Sequence, residues 1–398
     1  MIRKSERQKD ILRVIESLDI TPSMYKNADE KYHALAKYLS EHTNVTLDMY
    51  AQGSFAFGTV VRPYKNDKDG AYDLDFICEV DIEKGNITAE QLRDCIEDAI
   101  SEGELYGGKL EVSDQCFTIH YADEGGASFS IDIVPAAHES EMKKKLLKEK
   151  SSRRDLIDTA IAIPMKDSNN YKWRTNNPKG FAEWFREINE PYKAYIRTEF
   201  RKSLFESTDI YDKIEDIPEG MERSAVQRVI QLLKRHRDLY YSHLKGDKPI
   251  SAIINVLVAE VASSLHPSTD IFTLLEAVLN EINESSKFYN DRVKGEILLE
   301  NRAVARKNRE WYIENPANPE DNLADAWNKS EDIAKGFFKW VSVAKEDLID
   351  SMDKADDEFR ALSESALGQD IIKSAWGDKY EDKAPTPIST SSKPWRCY

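Results

Sequence analysis

Apolar positions recur at helical spacing near the start of the chain, with Ile11, Leu12, Val14, Ile15 and Leu18 on one stripe, and predict two helices between about residues 4 and 43. The pattern then changes. The segments VTLDMYA (45–51), DLDFICEVD (73–81), KLEVSDQCFTIHYAD (109–123) and ASFSIDIVPA (127–136) carry β-branched and aromatic residues, and the last alternates strictly. They predict a mixed sheet, with a helix over TAEQLRDCIEDAIS (88–101) packed on it. From about residue 178 the strand signal stops and long helical patterns follow: FAEWFREINEPYKAYI, MERSAVQRVIQLLKRHRDLYY, SAIINVLVAEVASSL and DNLADAWNKSEDIAKGFFKWVSVAKEDLIDSM. The expected class is α+β, a mixed-sheet lobe followed by a helical lobe. The expected divisions are 1–44, N-terminal helices packing on the bilobed body; 45–177, the sheet lobe; 178–382, the helical lobe; and 383–398, a Pro-, Ser- and Thr-rich extended tail.

Charge narrows the partners. The 72 acidic residues outnumber the 56 basic ones, for a net charge of -16, so the molecule as a whole repels nucleic acid and anionic membrane. Stable DNA or RNA binding is not expected; a nucleotide remains open, because a small site can be locally basic or recruit a divalent cation. Cys78, Cys95, Cys116 and Cys397 show no CxxC spacing, and the seven histidines form no HExxH pattern, which argues against zinc. The charged opening MIRKSERQKDILRVIESLDI lacks a signal-peptide core and no apolar run approaches membrane-spanning length, so the expected location is the cytoplasm.

Three acids stand where acids are costly. Asp67 and Asp69 share an Asp-x-Asp spacing in a polar loop, where solvation accounts for them; Asp73 and Asp75 have the same spacing but open an apolar strand, so both side chains project from one face while Leu74, Phe76 and Cys78 enter the core. Asp132 follows in SFSIDIVP, sharing a face with Ser128 and Ser130 while Phe129, Ile131 and Ile133 take the other. Clustered carboxylates raise one another's pKa unless cations neutralise them, and Mg²⁺ is the hard ion that carboxylates and phosphates share. The residues alone also allow a strand-start pair facing water and a salt-bridged strand acid.

Ahead of Asp73 runs Gln52-Gly53-Ser54-Phe55-Ala56-Phe57-Gly58-Thr59. Gly53 permits a tight turn and a close approach of backbone to ligand, Ser54 suits a helix N-cap, and amides at a helix start favour phosphate. An ordinary strand-to-helix turn has the same signature. The ordered set GSFAFGT, DLD and SIDIVP is more specific, and in it the chain resembles the bacterial cGAS/DncV-like nucleotidyltransferases, or CD-NTases, of the polymerase-beta-like superfamily, relatives of animal cyclic GMP-AMP synthase and oligoadenylate synthase. QRVIQLLKRHRD (227–238) resembles the family's lysine-bearing helix, giving Lys234, and KPISAIINVLVAE (248–260) its serine-led helix, giving Ser251. The residues alone also fit a solvated basic helix face and a helix N-cap after Pro249.

The resemblance implies an oligoadenylate synthase-like fold and a nucleotidyltransferase that joins nucleoside triphosphates, ATP among them, into a cyclic di- or trinucleotide. Asp73, Asp75 and Asp132 would hold Mg²⁺, with Mn²⁺ as a substitute; Gln52, Gly53, Ser54, Lys234 and Ser251 would hold the nucleotide. It further implies that the product signals to an effector protein in antiphage defence. A linear-oligonucleotide or RNA-tailing enzyme and a catalytically silent nucleotide-binding scaffold are the competing readings. Tailing needs a basic channel that this acidic chain does not advertise, and a silent scaffold fits poorly with all three acids being present.

Overall fold

The computed structural model describes residues 2–65, 68–103, 105–121, 129–167, 170–207, 222–244, 248–300 and 302–381. Asp67, Ser128, Cys397 and the tail expected over 383–398 lie outside them. The chain opens with α1 (Ile2–Ser17) and α2 (Pro22–His42), the latter started by Thr21, whose side chain accepts from the amide of Met24, and by a proline in its first turn. The sheet lobe runs β1 (Leu47–Ala51), α3 (Gly53–Phe57), β2 (Tyr64–Lys65), β3 (Lys68–Asp69), β4 (Tyr72–Glu83), α4 (Ala89–Ser101), β5 (Leu110–Val112), β6 (Phe117–Tyr121), β7 (Phe129–His138), α5 (Glu141–Lys150), β8 (Ile161–Asp167) and β9 (Asn170–Asn176). The helical lobe follows: α6 (Pro178–Ser207), α7 (Ala225–Ser242), α8 (Ser251–Ser263), α9 (Ile271–Ser286), α10 (Arg292–Leu298), β10 (Ala305–Lys307), β11 (Glu310–Tyr312), α11 (Asp325–Lys329), α12 (Glu331–Leu348), α13 (Asp356–Leu367) and α14 (Gln369–Trp376).

Strands β1, β4, β7, β6 and β5 lie side by side in that order, and the β8–β9 hairpin joins at the far end of β7. Among the described residues only β4 and β7 pair in parallel; β1 on one side and β6 on the other are antiparallel, so the sheet is mixed. Leu74, Phe76, Cys78 and Val80 of β4, with Ile131 and Ile133 of β7, are fully buried in the core beneath α2 and α4. The acids therefore occupy the opposite face, as alternation requires.

Several elements differ from the sequence pattern. The single strand read over 109–123 is a hairpin, because Ser113 closes a turn in which its amide donates to the carbonyl of Cys116 at 3.0 Å. Strands β8 and β9 had no counterpart in that reading. The helical lobe contains the β10–β11 hairpin, turned by Asn308 and Arg309 at φ 53° and 67°, a left-handed turn without the usual glycine. The last long helical pattern breaks at Ser330 into α11 and α12. The long loop between Thr59 and Asp73 contains the β2–β3 pair, whose Tyr64 ring lies 5.1 Å under the Arg235 guanidinium.

Two large hydrophobic cores and two small clusters form among the described residues, and the N-terminal helices divide between the large ones. Ile11, Val14, Ile15 and Leu18 of α1 join the helical core, whereas Leu35 and Leu39 of α2 join the sheet core. Helix α7 is one of the links between the lobes. It is buried on every face from Ala225 to Leu239, polar residues included. Gln227, Gln231 and Lys234, spaced four and three apart, share one face. Gln227 Nε2 donates to the carbonyl of Phe57 at 2.7 Å, Gln231 Nε2 to that of Val60 at 2.7 Å, and Lys234 Nζ to Thr59 Oγ1 at 3.1 Å. Arg235 adds a bond to the carbonyl of Arg62 at 3.2 Å. Gln231→Leu would leave the Val60 carbonyl buried without this donor and is expected to cost about 1–3 kcal/mol. A lower urea midpoint at unchanged slope would show it; an unchanged midpoint would contradict the role given to α7.

Candidate active site

The parallel pairing of β4 with β7 sets Asp75 directly beside Asp132 and Asp73 beside Ser130. Each outer carboxylate is steadied by the next strand. Ser130 Oγ donates to Asp73 Oδ1 at 3.1 Å, and Thr118 Oγ1 on β6 donates to Asp132 Oδ1 at 2.6 Å. The third acid is met by the turn that follows β1. The Gln52 amide donates to the Asp75 carbonyl at 2.8 Å, and Gly53 takes φ 59° so close to Asp75 that a Cβ there would stand 2.7 Å from Oδ2. Glycine is required at this position on both counts. The short helix α3 then ends at Gly58, φ 62°, packed on Gln227.

Ser54 is the second residue of α3, not its N-cap, a place Gln52 holds without a side-chain bond. Ser251 likewise opens α8, whose N-cap is Ile250; its Oγ accepts from Arg237 Nη1 at 3.0 Å instead of capping the helix. Lys234 does not lie on a solvated face. It is 4% exposed. Burial brings its ammonium down to a pKa of about 7; Arg237 lowers it further, while Asp75 and Asp238 oppose the fall. Near the acids the Cys116 thiol is pushed up, first by burial and in smaller part by the charges of Asp132 and Asp75.

All of these residues line one cleft of about 710 Å³ between the lobes: Gln52, Gly53, Ser54, Asp73, Asp75 and Asp132 on the sheet side, Lys234 and Ser251 on the helical side. The sequence reading missed Thr59 and Thr118, which hold Lys234 and Asp132, and Arg237, Asp238 and Lys248 on the helical wall. The only sequence signal for Arg237 was its position one turn beyond Lys234. For a cation the three acids offer oxygen donors alone, the set that hard ions such as Mg²⁺ or Mn²⁺ prefer. Among the described residues no three His, Cys, Asp or Glu side chains stand together closely enough to hold a metal ion; Asp73 and Asp132 are held toward Ser130 and Thr118.

Residues 7–189 match the Second Messenger Oligonucleotide or Dinucleotide Synthetase domain. The c-di-GMP synthase of Roseivirga ehrenbergii is 23% identical over 343 residues, covering 85% of this chain and 78% of that protein. The cyclic dinucleotide synthase CdnG of Bradyrhizobium diazoefficiens is 23% identical over 333 residues, 79% of this chain and 68% of that one. In this domain and in these relatives the chain is similar to the CD-NTases. The synthetase-domain match and the two synthase relatives make it a nucleotidyltransferase. The solved structure of the Bradyrhizobium diazoefficiens CD-NTase CdnG in complex with GTP shares its fold, with a TM-score of 0.65 at 18% identity over 93% of this chain and 98% of that one. CdnC from Escherichia coli MS115-1, solved in complex with HORMA-deltaN, aligns with a TM-score of 0.53 at 15% identity over 90% and 96% of the two chains. The α+β fold thus agrees with that of the solved CdnG.

Lys234 gives the site a measurable pH signature. Its folded pKa, about 7, lies below the unfolded value near 10.5, so between them the unfolded chain holds more protons and stability rises with pH. In EDTA without nucleotide, Lys234→Met is therefore expected to be more stable than the parent at pH 7, with the gap narrowing toward pH 9 in urea titrations. A gap that stays constant or widens would contradict the buried-amine account.

Proposed function

We propose that this nucleotidyltransferase joins nucleoside triphosphates into a cyclic di- or trinucleotide. The observation that carries the reading is the opposition across one cleft of Asp73, Asp75 and Asp132 on the sheet to Lys234 and Ser251 on the helices. The relatives' names, c-di-GMP synthase and cyclic dinucleotide synthase, favour a dinucleotide, and the capture of CdnG with GTP makes GTP a substrate to test beside ATP.

In this reading Asp73, Asp75 and Asp132 would hold Mg²⁺, which when bound lowers the pKa of the attacking hydroxyl and stabilises the leaving pyrophosphate. The rest falls to the chain's own groups. The Gly53–Ser54 turn lays backbone against the donor's phosphates, where no side chain intrudes. Lys234 meets them from the other wall, and the approach of a polyanion raises its pKa and keeps the ammonium charged. Ser251 adds a hydroxyl donor. Asp132, oriented by Thr118, faces the acceptor's ribose hydroxyl and aligns it for in-line attack on the α-phosphorus. A cleft between two lobes suits retention of a short intermediate and its second presentation to the same acids. A growing polymer would need an open basic groove, and the net charge of -16 supplies none at large.

The family resemblance supports a further step, in which the product signals to an effector protein in antiphage defence, inside the cytoplasm. Among the described residues no helix is long and apolar enough to cross a membrane.

Incubation with each NTP, singly and in mixtures with Mg²⁺, is expected to give phosphatase-resistant products of two or three nucleotides by mass spectrometry, unaffected by added RNA or double-stranded DNA. A phosphatase-sensitive ladder would instead identify a linear synthase, and stimulation by RNA a tailing enzyme. Asp73→Asn with Asp75→Asn should reduce product at least about 100-fold, the scale of losing a charge-stabilising group, with the melting temperature nearly unchanged. EDTA should abolish activity, and Mg²⁺ or Mn²⁺ but not Zn²⁺ should restore it. Near-normal turnover in the double variant would remove the acids from the mechanism.

A further inference from the structure

Arg237 lines the same cleft one turn beyond Lys234, yet the mechanism above gives it no task. It is 5% exposed, and its fork is already committed. Nη1 donates to the carbonyl of Pro249 and to Ser251 Oγ, both at 3.0 Å; Nε and Nη2 converge on Asp238 Oδ1 at 3.0 and 2.8 Å. The same carboxylate oxygen takes Lys248 Nζ at 3.1 Å. A guanidinium has five N–H donors and no acceptor, so four are spent inside the protein and the group cannot present a bidentate fork to phosphate.

The consequence falls on Ser251. A hydroxyl has one O–H and two lone pairs. Because Arg237 can only donate, the Ser251 oxygen must accept, and its single O–H must point elsewhere. No hydrogen bond from that O–H to an acceptor occurs among the described residues. The hold on the Pro249 carbonyl fixes the backbone as it enters α8, at a residue with no N–H of its own to bond. Lys248 and Arg237 share Asp238, so the carboxylate sets the guanidinium plane and thereby the direction in which Nη1 meets Ser251.

We propose that Arg237, braced on Asp238, is the positioning residue for Ser251, turning its O–H into the cleft to donate to a non-bridging phosphate oxygen of the donor nucleoside triphosphate. The inference rests on the nucleotide-binding reading of the cleft. It differs from a merely structural role for Arg237 in one respect: the effect of losing Arg237 passes through the Ser251 hydroxyl and disappears when that hydroxyl is absent.

A double-mutant cycle reads this directly, with affinity for a non-hydrolysable NTP analogue in Mg²⁺ measured by calorimetry beside KM and kcat. Ser251→Ala and Arg237→Gln are each expected to weaken binding about tenfold, the scale of one hydrogen bond to a charged group, and to raise KM more than they lower kcat. The double variant should bind no worse than either single one. Ser251→Thr, which keeps the hydroxyl, should bind more tightly than Ser251→Ala with Arg237 present and lose that advantage with Arg237→Gln. If Arg237→Gln fails to fold, the isosteric Asp238→Asn carries the same cycle, with the same non-additivity against Ser251→Ala expected. Additive losses of about a hundredfold, or an unchanged affinity in Arg237→Gln, overturn the proposal while leaving the nucleotide reading in place. A parent protein that binds no nucleotide overturns that reading and this one with it.

Discussion

Two side-chain amides of α7, Gln227 and Gln231, grip the carbonyls of Phe57 and Val60, and the rest of the site depends on that grip. The segment they hold runs directly from the Gly53–Ser54 turn, which abuts Asp75 on β4. The helical wall is thereby set against the sheet wall through buried hydrogen bonds, and buried amides of this kind are satisfied in one arrangement only. A mainly apolar interface would tolerate sliding. This one does not, because a shift of one helical turn would leave carbonyls and amides unpaired in a dry interior.

The same helix explains how an acidic protein can receive a polyanion. Net charge acts at long range and is screened within about 8–10 Å at ordinary ionic strength. Inside the cleft the charges are divided by wall: Lys234 and Lys248 stand on the side opposite Asp73, Asp75 and Asp132, so a phosphate can meet cations on one side although the lining as a whole stays acidic. Burial costs the Lys234 ammonium part of its charge at neutral pH, a penalty that a triphosphate would offset. The site is thus less comfortable without a ligand than with one, a common feature where function sets the choice of residue.

Much of this was legible in the sequence because strand alternation has an exact period. Once Leu74, Phe76 and Cys78 were assigned inward, Asp73 and Asp75 had to share the other face, and they do. The parallel register that brings Asp132 beside Asp75 was not legible, since pairing partners are set by tertiary packing. Helix α7 failed in a more instructive way. A basic stretch such as LLKRHRD reads alike whether it faces water or a set of buried carbonyls, and its acceptors lie at Phe57 to Arg62, far off in sequence. The β10–β11 hairpin escaped notice because its strands are three residues long and its turn, Asn308–Arg309, lacks glycine. Ser54 and Ser251 have the composition of caps and lie one or two places inside their helices.

The central claim is geometric: one nucleoside triphosphate bridges the two walls that α7 holds together. A structure of the full chain with a non-hydrolysable GTP or ATP analogue and Mg²⁺ tests it most directly. The account predicts phosphates between the Gly53–Ser54 turn and Lys234, with density for cations at Asp73, Asp75 and Asp132. A nucleotide bound outside the cleft, or inside it with its phosphates turned away from those acids, would contradict it.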